Sequence, residues 1–173
     1  MPRSGKSAYT AKRLTSAHRM ACSFTAGESA IALQSASADS RIEAVVAEAP
    51  FTSLSEASYD YTGIQKYPWL GKSLLAPGAW VMLARGEALS GFPSADVSPE
   101  KAVASRPFPV FLICEAEDTT LPCRHAEKIY AVATGPRVLW VVPEAYHTAA
   151  LGYQPNEFKS RVLSFFADPA AAH

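Results

Sequence analysis

The fold is decided by residues 109–114, which read PVFLIC, and by the polar turn 117–122 (EDTTLP) that follows them. A short run without a charged side chain predicts a strand buried on both faces, which is the pattern of a parallel sheet. In open parallel sheets the functional side chains gather where the strands end, at the carboxyl edge of the sheet. Asp118, in the polar turn, is therefore the first candidate site residue.

The rest of the chain alternates between predicted strands and predicted helices. Further strands are predicted at 19–26 (RMACSFTA), 42–47 (IEAVVA) and 138–142 (VLWVV). Helical patterns lie at 29–38, from Ser98-Pro99-Glu100 onwards, at 122–133 and at 155–167. Strand and helix in alternation predict an α/β fold, in which helices flank a parallel sheet on both faces.

Two of the predicted helices have a clear apolar face. In the helix at 122–133 the face consists of Ala126, Ile129, Tyr130 and Ala133. In the helix at 155–167 it consists of Phe158, Val162, Leu163 and Phe166. His125 is expected at the surface of the first of these helices.

The interval between the second and third strands, 51–107, is too long for a single crossover and is rich in aromatic side chains. It is predicted to contain helices at 53–60 and 70–85, and it holds Tyr59, Tyr61, Tyr67, Trp69 and Trp80. An excursion of this kind after the carboxyl end of a strand predicts a cap over a ligand site. The alternative is that the aromatic side chains only pack the excursion onto the sheet.

Three chemically useful residues follow three of the predicted strands in the order serine, acid, histidine. Ser29 comes after the strand at 19–26, Asp118 after 109–114 and His147 after 138–142. A serine hydroxyl needs an imidazole to take its proton, and a carboxylate holds that imidazole in the right tautomer. The chain order is the one found in α/β-hydrolases.

Three segments resemble bacterial α/β-hydrolases of the serine aminopeptidase and prolyl-oligopeptidase-like group. They are 39–51 (DSRIEAVVAEAPF), 109–122 with its acid turn, and 141–147 (VVPEAYH). The resemblance runs from about residue 27 to 167 and implies the carboxy-terminal half of a truncated α/β-hydrolase fold. It implies that Ser29 is the nucleophile, Asp118 the acid and His147 the base, with the Ala30 amide as an oxyanion donor. The implied substrate is an ester or amide bond of a small molecule or peptide.

Alternatives stay open for each of these residues. Asp118 could be a cap ahead of Pro122, and His147 could be a loop histidine without a role. The family pattern G-x-S-x-G reads Gly-Glu-Ser-Ala-Ile at 27–31, so Ile31 replaces the second glycine. A β-branched side chain there is expected to clash in a tight turn, and Ser29 could instead be a helix N-cap.

A second departure concerns the early part of the fold. The loop after an early strand, which supplies the other oxyanion donor in this family, has no counterpart here. The alternative function is therefore an impaired or inactive hydrolase remnant that acts as a structural or interaction module. A third reading, a nucleotide-binding protein, depends on Gly5-Lys6-Ser7 alone.

Composition and charge narrow the class of protein. The formal net charge is zero, so no nucleic-acid partner is expected, and no apolar run is long enough for a membrane span. No histidine and cysteine spacing predicts a metal site, and no cofactor is expected. Cys22, Cys114 and Cys123 are predicted to be reduced thiols, the first two of them buried, which indicates a cytoplasmic protein.

The predicted domain organisation has three parts. Residues 1–19 form an irregular or disordered basic lead-in, 20–168 a partial hydrolase domain, and 169–173 a flexible tail. The strand near 20–25 would be an apolar sheet edge in a truncated fold. Such an edge predicts self-association with a second copy of the chain.

Overall fold

The computed structural model describes residues 19–23, 26–62 and 76–171. Within these residues the strands form one sheet in the order β1-β2-β3-β4, and every neighbouring pair is parallel. The strands are β1 Arg19–Ser23, β2 Ile42–Glu48, β3 Val110–Glu115 and β4 Arg137–Val142. The predicted α/β fold with a parallel sheet is confirmed, and β1 pairs with no described strand other than β2.

The helices agree with the sequence patterns, with shifts at their ends. They are α1 Ala26–Ala38, α2 Leu54–Tyr61, α3 Ala76–Ser90, α4 Pro99–Ser105, α5 Arg124–Val132, α6 Ala150–Tyr153 and α7 Pro155–Ala167. Short 3₁₀ turns lie at Ser94–Asp96 and Pro169–Ala171. Of the predicted lead-in at 1–19, residues 1–18 lie outside the described residues and Arg19 begins β1. The motif Gly5-Lys6-Ser7 and the aromatic residues Tyr67 and Trp69 also lie outside them.

The two faces of the sheet have separate cores. The helices of the three strand connections, α1, α4 and α5, share a core with β2 and β3 that contains Leu33, Val103 and Ile129. Consecutive parallel strands joined by crossovers of one hand place their helices on the same face. After the last strand, α7 covers the opposite face with Phe158 and Phe165, against Phe111 and Trp140. β3, between two strands and two helical layers, is buried along its whole length, as predicted.

The capping signal at Ser98 is confirmed, and one apolar face is corrected. The Ser98 side chain accepts from the amide of Lys101 at the start of α4, with Pro99 in the first turn. In α7 the expected contact of Leu163 with the sheet is wrong, because this side chain is exposed and Phe165 is buried instead.

The prediction of reduced thiols is wrong for two of the three cysteines. Cys114, at the end of β3, forms a disulfide with Cys123, just before α5, and their Cα atoms are 5.4 Å apart. Their spacing in the sequence gave no sign of this pair, because the acid turn between them has to fold back on itself before they meet. The disulfide therefore closes the loop that carries Asp118. The side chain of Cys22 lies outside the described part of the structure.

No helix among the described residues is both long and apolar enough to cross a bilayer.

Candidate active site

The structure brings Asp118 and His147 together at the carboxyl edge of the sheet. Asp118 Oδ2 lies 2.6 Å from His147 Nδ1; the carboxylate is buried and the histidine side chain is 28 % exposed. The pairing follows from the sheet, since β3 and β4 are parallel neighbours and Glu115 is in register with Val142. The turns after two such strands must lie side by side.

The Asp118 carboxylate is oriented by its own turn. Its Oδ1 accepts hydrogen bonds from the amides of Thr120, at 2.7 Å, and Leu121, at 2.9 Å. This is the local bonding expected of an aspartate in a turn. The alternative interpretation of Asp118 as a helix cap ahead of Pro122 is wrong, because α5 begins only at Arg124 and these bonds stay within the turn. Because Oδ1 accepts the two amides of the turn, Oδ2 is left to bond the histidine.

The segment around His147 is held in an unusual backbone conformation. Glu144 has φ 59° and Thr148 has φ 53°, in the left-handed region that non-glycine residues rarely occupy. Between them Ala145 is fully buried, and its carbonyl accepts from the amide of Glu117 at 3.0 Å. Such conformations persist where the surrounding structure enforces them and are frequent at functional sites.

Ser29 forms no hydrogen bond with His147 in this structure. It is fully buried in α1, and its hydroxyl donates to the main-chain carbonyl of Glu48 at 2.7 Å. Among the hydrogen bonds of the described residues, none joins Ser29 to the imidazole. The N-cap interpretation of Ser29 is wrong as well, because α1 already begins at Ala26.

The expected clash at Ile31 does not occur. Residues 27–31 are part of α1, so they do not form a tight turn between strand and helix. The Ile31 side chain is 67 % exposed, and a Cβ atom added to Gly27 would meet nothing within 4 Å. The departure from G-x-S-x-G therefore goes together with a helix that begins before Ser29.

Helix α1 also includes Ala30, whose amide was expected to be an oxyanion donor. In a helix that begins at Ala26, the amide of Ala30 is positioned to donate to the carbonyl of Ala26, four residues earlier. The Ala30 side chain is buried with Phe51, Ala57 and Leu121. Helical bonding of its amide counts against a role as an oxyanion donor at the helix start.

Two buried glutamates next to this site were missed by sequence reasoning. Glu48 ends β2 and Glu115 ends β3, and both are almost completely buried. Burial, together with the neighbouring carboxyl groups of Glu48 and Asp118, raises the pKa of Glu115 to about 9. The signal was a glutamate at the last position of each strand, directly after the apolar runs 44–47 and 110–114.

The prediction that His125 lies at the surface is wrong. Its imidazole is fully buried; Nε2 is 2.6 Å from Asp60 Oδ2, and Nδ1 accepts from the amide of Thr52 at 3.3 Å. Arg124 also contacts the Asp60 carboxylate. These bonds connect α5, which follows the acid turn, to α2 of the excursion. His125 lies four residues before the buried Ile129, so the two side chains share the buried side of the helix.

An apolar cavity of about 340 Å³ lies beside the start of α1. Its walls include Gly27 of α1, Phe51 after β2, Leu54 of α2, Met82 of α3 and Leu121 of the acid turn. Part of the excursion therefore lines a cavity close to the carboxyl edge of the sheet. Among the described residues, no group of three His, Cys, Asp or Glu side chains is arranged to hold a metal ion.

Comparison with known proteins adds evidence on the fold alone. No protein-family model matches the chain, and no curated protein matches it by sequence. Solved structures do match. An esterase of Pyrococcus furiosus, Pf2001, is 24 % identical with a TM-score of 0.60, over 87 % of this chain and 53 % of the esterase.

Two peptidases give the same result. The acylaminoacyl peptidase of Pyrococcus horikoshii is 15 % identical with a TM-score of 0.62, over 90 % of this chain and 25 % of the peptidase. A puromycin-hydrolyzing peptidase of Mycobacterium tuberculosis is 12 % identical with a TM-score of 0.62, over 89 % and 22 %. The chain thus spans about half the length of the esterase and less of each peptidase. It has the fold of part of an α/β-hydrolase, as the sequence segments implied.

Proposed function

We propose that the chain is a serine hydrolase of the α/β-hydrolase type, which cleaves an ester or amide bond of a small molecule or peptide. The observation that carries the proposal is the Asp118–His147 pair, held at 2.6 Å at the carboxyl edge of the sheet. The similar solved structures include an esterase and two peptidases, which supports hydrolysis as the class of reaction.

In this proposal His147 is the general base and Asp118 orients it. With Nδ1–H donated to Asp118, the Nε2 atom is the one that accepts a proton. Ser29 would be the nucleophile, which requires its hydroxyl to leave the Glu48 carbonyl by a change of rotamer. The amide of Ala30, the proposed oxyanion donor, would have to leave its helical bond in the same movement.

The excursion at 51–107 is proposed to choose the substrate. The cavity beside α1 is lined by apolar groups of α2, α3 and the acid turn. Pockets of this character bind ligands mainly through apolar contact. We therefore expect an acyl group or side chain of apolar character.

A second candidate function, an impaired hydrolase that acts as an interaction module, is favoured by the position of Ser29. A fully buried hydroxyl bonded to a main-chain carbonyl cannot attack a substrate in that conformation. The exposed apolar side chains Trp80, Val81, Met82 and Leu89 of α3 are compatible with a protein partner. Self-association through the edge of β1 stays a prediction, as does the cytoplasmic location, which loses the support of reduced thiols.

Turnover of short p-nitrophenyl esters separates the two functions. We expect hydrolysis by the wild-type chain and its loss in His147→Ala, with Lys159→Ala, an exposed residue of α7, as the control. No turnover by a folded wild-type chain would contradict the hydrolase and leave the interaction module.

A further inference from the structure

Glu48 connects three parts of the candidate site. Its main-chain carbonyl accepts the hydroxyl of Ser29 at 2.7 Å. Its side-chain Oε1 accepts the amide of Ala150 at 3.0 Å, a buried bond between residues 102 positions apart. Ala150 is the first residue of α6, three residues after His147. One residue thus contacts both the proposed nucleophile and the segment of the proposed base.

The backbone at this point is constrained. Ala49, directly after Glu48, has φ 47°, and its amide donates to the carbonyl of Ile113 at 2.9 Å. A buried alanine in the left-handed region costs free energy that its surroundings must supply. The conformation turns the chain sharply at the end of β2, directly beside the carbonyl that holds Ser29.

Glu115 lies two residues beyond Ile113, the register partner of Glu48, so the two buried glutamates share one face of the sheet as diagonal neighbours, and Glu115 takes part in none of these bonds. Neither of its carboxyl oxygens has a hydrogen-bond partner among the described residues. Glu48 raises the pKa of Glu115, both through a contact between the two carboxyl groups and through its charge. Asp118, itself bonded to His147, is the other charged group that acts on Glu115.

We propose that Glu48 is a positioning residue that holds Ser29 and the segment of His147 at the end of β2. The hydrogen bond between the Glu48 side chain and the Ala150 amide, called the tie below, is controlled by the buried carboxyl of Glu115. The positioning role rests on the proposed function, whereas the tie itself is a structural claim. A buried carboxylate that accepts a main-chain amide tolerates a neutral neighbour and is repelled by a charged one. Protonated Glu115 therefore keeps the Glu48–Ala150 bond, and ionised Glu115 weakens it.

Hydrogen exchange of the Ala150 amide tests the tie without any need for catalysis. In Glu48→Ala we expect Ala150 to exchange at least about tenfold faster, since a bond to a charged acceptor is lost. Glu48→Gln, which keeps a side-chain oxygen as acceptor, should restore protection to within about threefold. The control is Glu43→Ala, an exposed glutamate of β2, and the amide of Ile129 in α5 reports on global opening.

Two further readouts concern Glu115 and the site. The Ala150 methyl ¹³C shift should show a step with a midpoint near pH 9 that is absent in Glu115→Gln. The downfield proton signal of His147 Nδ1–H should broaden in Glu48→Ala and stay sharp in Glu43→Ala, which a purely structural role of Glu48 would not produce.

Each result either supports or overturns one part of the proposal. Wild-type exchange of Ala150 in a folded Glu48→Ala, or loss of protection in Glu48→Gln, overturns the tie. Persistence of the pH step in Glu115→Gln overturns the control by Glu115. If Glu48→Ala does not fold, Ala150 exchange in Glu48→Gln tests the tie and the pH step in Glu115→Gln tests its control. If the tie holds and no ester is hydrolysed, only the proposed function fails.

Discussion

The two sides of the candidate site differ in how completely they are assembled. On the side of β3 and β4, Asp118 and His147 are hydrogen-bonded, and the disulfide closes the loop of the acid. On the side of β1, Ser29 lies inside α1 and is bonded to a main-chain carbonyl. The hydrogen-bonded pair of acid and base can therefore form without a serine bonded to the histidine.

Catalytic activity should depend most strongly on the assembled side, that of β3 and β4. Asp118→Asn should lower kcat for p-nitrophenyl esters by about 10³- to 10⁴-fold, because the amide no longer holds His147 in the useful tautomer. The measurement is steady-state kinetics beside Glu117→Gln, which changes an exposed carboxylate in the same turn. Equal rates in the two variants would show that the Asp118–His147 pair has no catalytic role.

Stability should also depend strongly on this side, through His125. Replacement of His125 by leucine removes the buried partner of the buried Asp60 carboxylate and leaves it only the half-exposed Arg124, at a cost of about 3–5 kcal/mol in the free energy of unfolding. Urea denaturation measures the change. In the double variant with Asp60→Leu, much of the lost free energy of unfolding should be recovered. Additive losses would show that the two residues act independently.

A pH-dependent effect of intermediate size is expected for Glu115. Its pKa is about 9 in the folded chain, against an ordinary value near 4.5, so only the folded chain keeps this proton between those pH values. The stability contributed by the proton is complete below pH 4.5 and is lost as the pH rises towards 9. Glu115→Gln should therefore be more stable than wild type at pH 8 by on the order of 1–3 kcal/mol, with a smaller difference at pH 5.

The smallest effect is expected on the unassembled side. Ser29→Ala removes the donor to the Glu48 carbonyl and should reduce the free energy of unfolding by about 1 kcal/mol. Ser35→Ala, in the same helix, is the matched control. A loss well above 2 kcal/mol would mean that Ser29 mainly stabilises the fold.

The assembled side was predictable from sequence because each signal was local. An apolar run such as 109–114 predicts a buried strand, and parallel neighbours bring the turns that follow them together. Asp118 and His147 could therefore be paired from their positions in the chain alone.

The features that the sequence did not predict depend on contacts between segments that are far apart in the chain. The early start of α1 moved Ser29 off the turn, and no residue before Gly27 signalled it. The disulfide, the buried His125 and the Glu48–Ala150 bond each join segments whose proximity follows only from the folded chain. Local patterns predict elements well and cross-chain polar contacts poorly, since such contacts leave no periodicity in the sequence.

Fluorophosphonate labelling with peptide mapping shows whether His147 activates Ser29, because the reagent reacts with a serine activated by its histidine. We expect one adduct per chain, located on Ser29, abolished in Ser29→Ala and strongly reduced in His147→Ala, with Ser35→Ala labelled like wild type. No adduct on a folded wild-type chain, or an adduct on another serine, would contradict the role assigned to Ser29.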